Sequence, residues 1–208
     1  VAGTANVVTT AQNCKVQKII YMSAMGTKPD AESKYHQSKY KAEREVISSD
    51  IPYTILRPSL VFGEGDGFVS MLTQMMKFSP FLPIIGNGKY QMQPVYIDDL
   101  VEAVSQTVEK AETNGKIIEL GGPEKLEYLE ILHILKKVTG KKRMNFYFPK
   151  LLMKSIAAVL EAVVKPAPIT RDQIIMMDAG NTGDIEDMKK IFNIEPLSFQ
   201  DGLEKYMR

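Results

Sequence analysis

The sequence predicts an α/β fold built on a parallel sheet. Short β-rich runs alternate with helical stretches from the first residue to about residue 122. The runs VQKIIYMSA (16–24), YTILRP (53–58) and GKIIELGG (115–122) lack clean alternation, as expected of strands covered on both faces. An apolar fraction of 44% is ordinary for a chain that buries a core.

The elements follow in order. VAGTANVVTTAQN (1–13) reads as a helix, with Val1, Ala5, Val8 and Ala11 as its apolar positions. After the first strand, Pro29 and Asp30 mark a turn, and Asp30 or Ser33 caps a helix running to about Ser48. Pro52 opens the second strand, and Pro58 ends its regular pairing because proline donates no ladder hydrogen bond. FGEGDG (62–67) is a loop, and residues 68–78 form a Met-rich amphipathic helix. GNGK (86–89) signals a turn. YQMQPVYIDDL (90–100) is extended before a helix over about 98–111, and beyond Pro123 the chain is expected to be mostly helical.

Charge and composition exclude several classes. The 26 basic and 25 acidic residues nearly cancel, so no basic field points to nucleic acid. The single cysteine, Cys14, rules out an internal disulfide framework and fits a reducing, cytoplasmic setting. Only His36 and His133 are available besides it, so a zinc site is not expected. LLMKSIAAVLEAVV (151–164) carries Lys154 and Glu161 and is shorter than the roughly 20 apolar residues a bilayer span needs. A buried helix is its first reading, and a helix facing a membrane or an apolar substrate its second.

The stretch SKYHQSKYKAERE (33–45) sets Tyr35 and Lys39 four apart, on one helix face. Tyr40 and Arg44 share that spacing, so the pair gains weight only from its context: a strand ending at Ser23, a loop, then the first turns of a helix. LRPSLVFGEGD (56–66), PVYIDDLVEAV (94–104) and GKIIELGGP (115–123) follow in order. Together these segments resemble the short-chain dehydrogenase/reductase superfamily, in its extended or atypical branch of epimerase/dehydratase type. QPVYIDDL (93–100), NGKIIELGGPEKL (114–126) and PITRDQIIMM (168–177) are similar to relatives of the dehydrogenase-like accessory subunit of respiratory complex I.

The resemblance implies a Rossmann-type sheet and NAD or NADP as cofactor, without choosing between them. It implies that Tyr35 exchanges a proton with a substrate oxygen while hydride moves to or from the nicotinamide. Lys39 would hold the ribose hydroxyls, and the backbone of Pro58, Ser59 and Leu60 would meet the carboxamide. Ser23 is the candidate for orienting the substrate oxygen, although the family register puts Ala24 there, and a strand-end structural role for Ser23 is the alternative. The implied dinucleotide-binding part covers residues 1–65 and 92–122, and a substrate-binding helical part covers 66–91 and 123–208.

No glycine-rich phosphate turn of dinucleotide type occurs in the sequence, and GEGDG (63–67) has neither its spacing nor a charge suited to pyrophosphate. We therefore expect an incomplete sheet containing the later strands only, with a missing amino-terminal segment or a partner at the edge of strand 16–24. The 208 residues alone should bind dinucleotide weakly. Asp98 and Asp99 are expected to cap a helix rather than bind metal. His133 is expected to be a packed core histidine, and the methionines of SMLTQMMKF (70–78) and RDQIIMMDAG (171–180) to fill core or line a pocket. The apolar 151–164 stretch favours a small apolar, lipid- or quinone-like substrate. Two functions follow from the resemblance: an NAD(P)-dependent oxidoreductase or epimerase/dehydratase, or a silent NAD(P)(H)-binding scaffold, with a membrane-associated complex as a candidate partner.

Overall fold

The computed structural model describes residues 1–167 and 169–207; Pro168, which opens the 168–177 stretch, lies outside them. Along the chain run α1 (Ala2–Asn13), β1 (Ile19–Met22), α2 (Lys34–Ile47), β2 (Tyr53–Pro58), β3 (Val61–Phe62) and α3 (Gly67–Phe78). Then come β4 (Phe81–Ile85), β5 (Gln91–Met92), β6 (Val95–Tyr96), α4 (Ile97–Glu109), β7 (Lys116–Leu120), β8 (Leu126–Glu127) and α5 (Tyr128–Thr139). The described chain closes with β9 (Met144–Phe148), α6 (Lys150–Val163), α7 (Arg171–Ala179), α8 (Glu186–Phe192) and α9 (Phe199–Tyr206).

The main sheet is parallel, in the order β1-β2-β7. Central β2 buries Ile55 and Leu56 completely, as a strand covered on both faces must. β1 differs from that expectation. It is shorter than the 16–24 run, none of its four residues is fully buried, and β2 is its one paired neighbour among the described residues. An edge strand lacks a neighbour to cover it, which explains the difference.

Two clusters of buried side chains organise the rest. In one, Leu56, Ile118 and Leu120 of the sheet meet Ala103 of α4 and Met188 and Phe192 of α8. In the other, Phe62 meets Leu72 and Met76 of α3, Leu82 and Ile84 of β4, the Ile131, Leu132 and Leu135 stripe of α5, and Leu203 of α9. The segment beyond residue 123 thus contributes to both clusters.

The region after Pro123 is mostly helical, as expected, and adds two strands: β9 pairs in parallel with β4, and β8 antiparallel with β5. Other expectations need correction. His133 is exposed, because the buried positions of α5 are 128, 131, 132 and 135, and 133 points the other way. Met71 is 49% exposed, while Met76 is buried as expected. Asp98 and Asp99 lie in the first turn of α4 but make no capping bond to that helix; Asp99 Oδ2 instead accepts the Leu197 amide at 2.9 Å. Helix α6 is not a buried helix: Ala157 is its one fully buried residue.

Candidate functional site

Helix α2 is capped twice at its N-terminus. Its own Ser33 Oγ accepts the His36 amide, which caps the first turn. Asp172 of α7 caps it a second time from across the fold. Its carboxylate accepts the Lys34 amide at 2.7 Å, the Tyr35 amide at 3.1 Å and the Ser33 hydroxyl at 2.9 Å. Burial works against that charge, but the bonds from Lys34, Tyr35 and Ser33 outweigh it and hold Asp172 below the usual carboxylate value. The two amides would otherwise lack partners, and a negative charge suits a helix N-terminus.

Along the inner face of α2, Tyr35, Lys39 and Glu43 stand one turn apart. Glu43 is buried and takes both forks of Arg57 on β2, at 2.8 and 2.6 Å. Lys39 Nζ donates to the Met22 carbonyl at 2.9 Å, at the carboxyl end of β1. Its ammonium lies 5.4 Å from the Tyr21 ring centroid and 5.8 Å from that of Tyr35. Both contacts are within cation–π range. Burial lowers the Lys39 pKa, and Glu43 opposes that shift. Burial raises the Tyr35 pKa, so its phenol stays protonated at neutral pH while the side chain keeps 40% exposure.

Pro58, Ser59 and Leu60 leave the carboxyl end of neighbouring β2. The Met25 amide donates to the Pro58 carbonyl at 2.9 Å, the Ser59 amide to the Leu120 carbonyl at 2.9 Å, and the Val95 amide to the Leu60 carbonyl at 2.9 Å. The Ser59 hydroxyl donates to the Gln93 carbonyl. Gln93 is buried; its side chain donates to the Gly122 carbonyl at 2.9 Å and accepts the Gly183 amide at 2.9 Å. A Cβ at Gly122 would collide with the Pro94 carbonyl, so this close approach requires glycine.

The fold therefore brings Tyr35, Lys39 and the Pro58–Leu60 backbone to the same carboxyl edge of the parallel sheet, where α/β folds bind ligands. Ser23 sits differently. It is 3% exposed, and its hydroxyl faces that of Thr27 at 3.4 Å. Sequence reading missed Glu43, Arg57, Gln93 and Asp172. The spacing of 35, 39 and 43 was a usable signal for Glu43; the other three depend on contacts far along the chain. No group of three or more metal-ligating side chains occurs among the described residues.

The nicotinamide end of a dinucleotide fits these residues. Lys39 spends one of its three N–H donors on the Met22 carbonyl, which leaves two for other acceptors. A parallel sheet with a Tyr-x-x-x-Lys stripe at its carboxyl edge defines a protein of dinucleotide-fold class. The profile of the NAD dependent epimerase/dehydratase family matches residues 1–121, and the chain belongs to that family.

Among curated proteins, the chain is 28% identical over 169 residues to NADH dehydrogenase [ubiquinone] 1 alpha subcomplex subunit 9, mitochondrial, of Arabidopsis thaliana, covering 80% of this chain and 42% of that one. It is 26% identical over 160 residues to the NADH-ubiquinone oxidoreductase 40 kDa subunit, mitochondrial, of Neurospora crassa, covering 76% and 41%. It thus spans less than half the length of these relatives. Among solved structures, a nucleoside-diphosphate-sugar epimerase from Staphylococcus aureus matches with a TM-score of 0.77 and 21% identity, covering 97% of this chain and 69% of that one. UDP-glucuronic acid 4-epimerase from Bacillus cereus, in complex with UDP-glucuronic acid and NAD, matches with a TM-score of 0.72 and 23% identity, covering 97% and 63%. These likenesses establish the fold.

Proposed function

We propose that the protein is an NAD(P)(H)-dependent oxidoreductase or epimerase/dehydratase in which Tyr35 transfers the proton. The observation that carries this reading is the Tyr35–Lys39 stripe, docked on the Met22 carbonyl at the carboxyl edge of β1. A bound nicotinamide dinucleotide supplies the hydride acceptor or donor. Lys39 keeps its ammonium within 5.4 Å of the Tyr21 ring centroid and 5.8 Å of that of Tyr35, and offers two N–H groups to the ribose. The Tyr35 phenol gives its proton to a substrate oxygen in the reducing direction and takes one in the other. The Ser59 carbonyl and Leu60 amide, which carry none of the backbone bonds described above, face the carboxamide in this reading.

A second reading is a cofactor-holding scaffold without turnover. Its support is Ser23, whose hydroxyl is buried against Thr27 instead of being open to a substrate, together with the complex I subunit names of the curated relatives. Both readings place Lys39 on the cofactor. Lys39→Met is therefore expected to weaken NAD(P)H binding about tenfold to a hundredfold, the value of a charged hydrogen bond. NADH fluorescence titration of the protein as its gene encodes it checks this. Equal affinities for wild type and variant would remove Lys39 from the cofactor site.

A further inference from the structure

The outward face of α6 is apolar where a surface helix is normally polar. Leu152, Ile156, Val159 and Val163 recur at helical spacing on one stripe and are 51%, 37%, 63% and 77% exposed. Ala157, on the other side, is the one fully buried residue of the helix. The segment before α6 continues the pattern. The β4–β9 ribbon buries Leu82 and Ile84 on one face and leaves Phe81, Met144 and Phe146 exposed on the other. Phe81 and Phe146 lie 6.2 Å apart on that outer face, so the apolar surface is continuous along the ribbon.

Charge identifies what covers this surface. Residues 136–165 hold eight lysines and arginines and one acidic residue, Glu161, while the rest of the chain has 18 basic against 24 acidic residues. Glu161 is already engaged by Arg171, at 2.9 Å. Lys150 is held by Asp178 and Arg143 by the Met76 carbonyl, but no ion pair holds Lys141, Lys142 or Lys165 among the described residues. An apolar helix face, in a segment that also carries exposed aromatic side chains and lysines without ion pairs, is the pattern of a helix lying in a membrane interface. No helix among the described residues is long and apolar enough to cross a membrane.

We propose that residues 136–165 form a docking surface for an anionic lipid bilayer, with α6 lying in the plane of the headgroups. This holds whichever reading of the Tyr35 site is right, because it uses none of its residues. Leucine and valine side chains enter the acyl boundary, and the lysines meet lipid phosphates. A second copy of this chain would carry the same positive charge onto the same face, which disfavours self-association there.

Vesicle flotation tests the proposal. The protein should float with phosphatidylcholine vesicles that contain about one third phosphatidylglycerol and stay behind with pure phosphatidylcholine, and salt raised towards about 1 M should release it. Lys141→Gln with Lys142→Gln should lower partitioning roughly twenty-fivefold, since each cation near an anionic surface is worth about a fivefold gain. Leu152→Ser with Val159→Ser and Val163→Ser should lower it tenfold or more, with the melting temperature unchanged because these side chains are exposed. Equal binding to neutral vesicles, or full binding by either variant, would overturn the proposal. So would a stable dimer that the triple serine variant dissociates, in a protein that floats with neither vesicle; that result gives the face to a second copy.

Discussion

Tyr35→Phe lowers turnover by about 10²–10⁴, the usual loss when a positioned acid or base is removed. It leaves NAD(P)H affinity and melting temperature unchanged. The substitution removes one oxygen and keeps the ring, which packs edge-on to His36 at 5.3 Å and lies beneath the Lys39 ammonium. No hydrogen bond from the Tyr35 hydroxyl supports the fold among the described residues, so no structural cost accompanies its loss. NADH consumption with a panel of apolar carbonyl compounds, and epimer formation from nucleotide sugars in the presence of NAD⁺, give the rate. Wild-type rates in the variant would take proton transfer away from Tyr35.

Glu43→Ala destabilises the protein by about 3–5 kcal/mol, because it strands a guanidinium that was paired on both forks. The Glu43 side chain is 1% exposed and that of Arg57 17%, so little water replaces the lost partner. Some access remains at Arg57, which sets the expected value in the lower part of that range. For a chain of this size each kcal/mol moves the melting temperature by about 2–4 °C, so a fall of roughly 6–15 °C is expected by circular dichroism. Glu43→Leu combined with Arg57→Met should recover most of the loss, since a well-packed apolar pair commonly replaces a buried ion pair without penalty. A single variant that melts with the wild type would mean that the pair contributes nothing to holding α2 on the sheet.

The parts of the molecule legible in the sequence are those whose causes are local. Ser33 is followed by an amphipathic helix, and the cap forms there. Central β2 announces itself by its apolar run between Pro52 and Pro58. The β4–β9 pair was not read from the sequence: Pro83 lies inside β4, and a two-stranded ribbon tolerates a proline whose missing N–H is not needed by the one neighbour. His133 was legible in principle, since it falls outside the 128, 131, 132, 135 stripe. Helix α6 was not: an apolar stripe reads first as a buried face, and only the helix's neighbours show that this one is exposed. Asp172 acts on Lys34 and Tyr35 from 138 and 137 residues away, and no local pattern carries that.

The most direct measurement of the central claim is the ionisation of Tyr35 itself, followed by NMR of the ring carbon that bears the oxygen in labelled protein. Without dinucleotide, burial should hold the Tyr35 pKa above that of free tyrosine. Adding NAD⁺ should lower it by about 1–3 pH units, because a cation within a few ångströms favours the phenolate, and Lys39→Met should remove part of that drop. A Tyr35 that titrates at the same pH with and without NAD⁺, and with and without Lys39, would contradict the account and leave the stripe on α2 as packing alone.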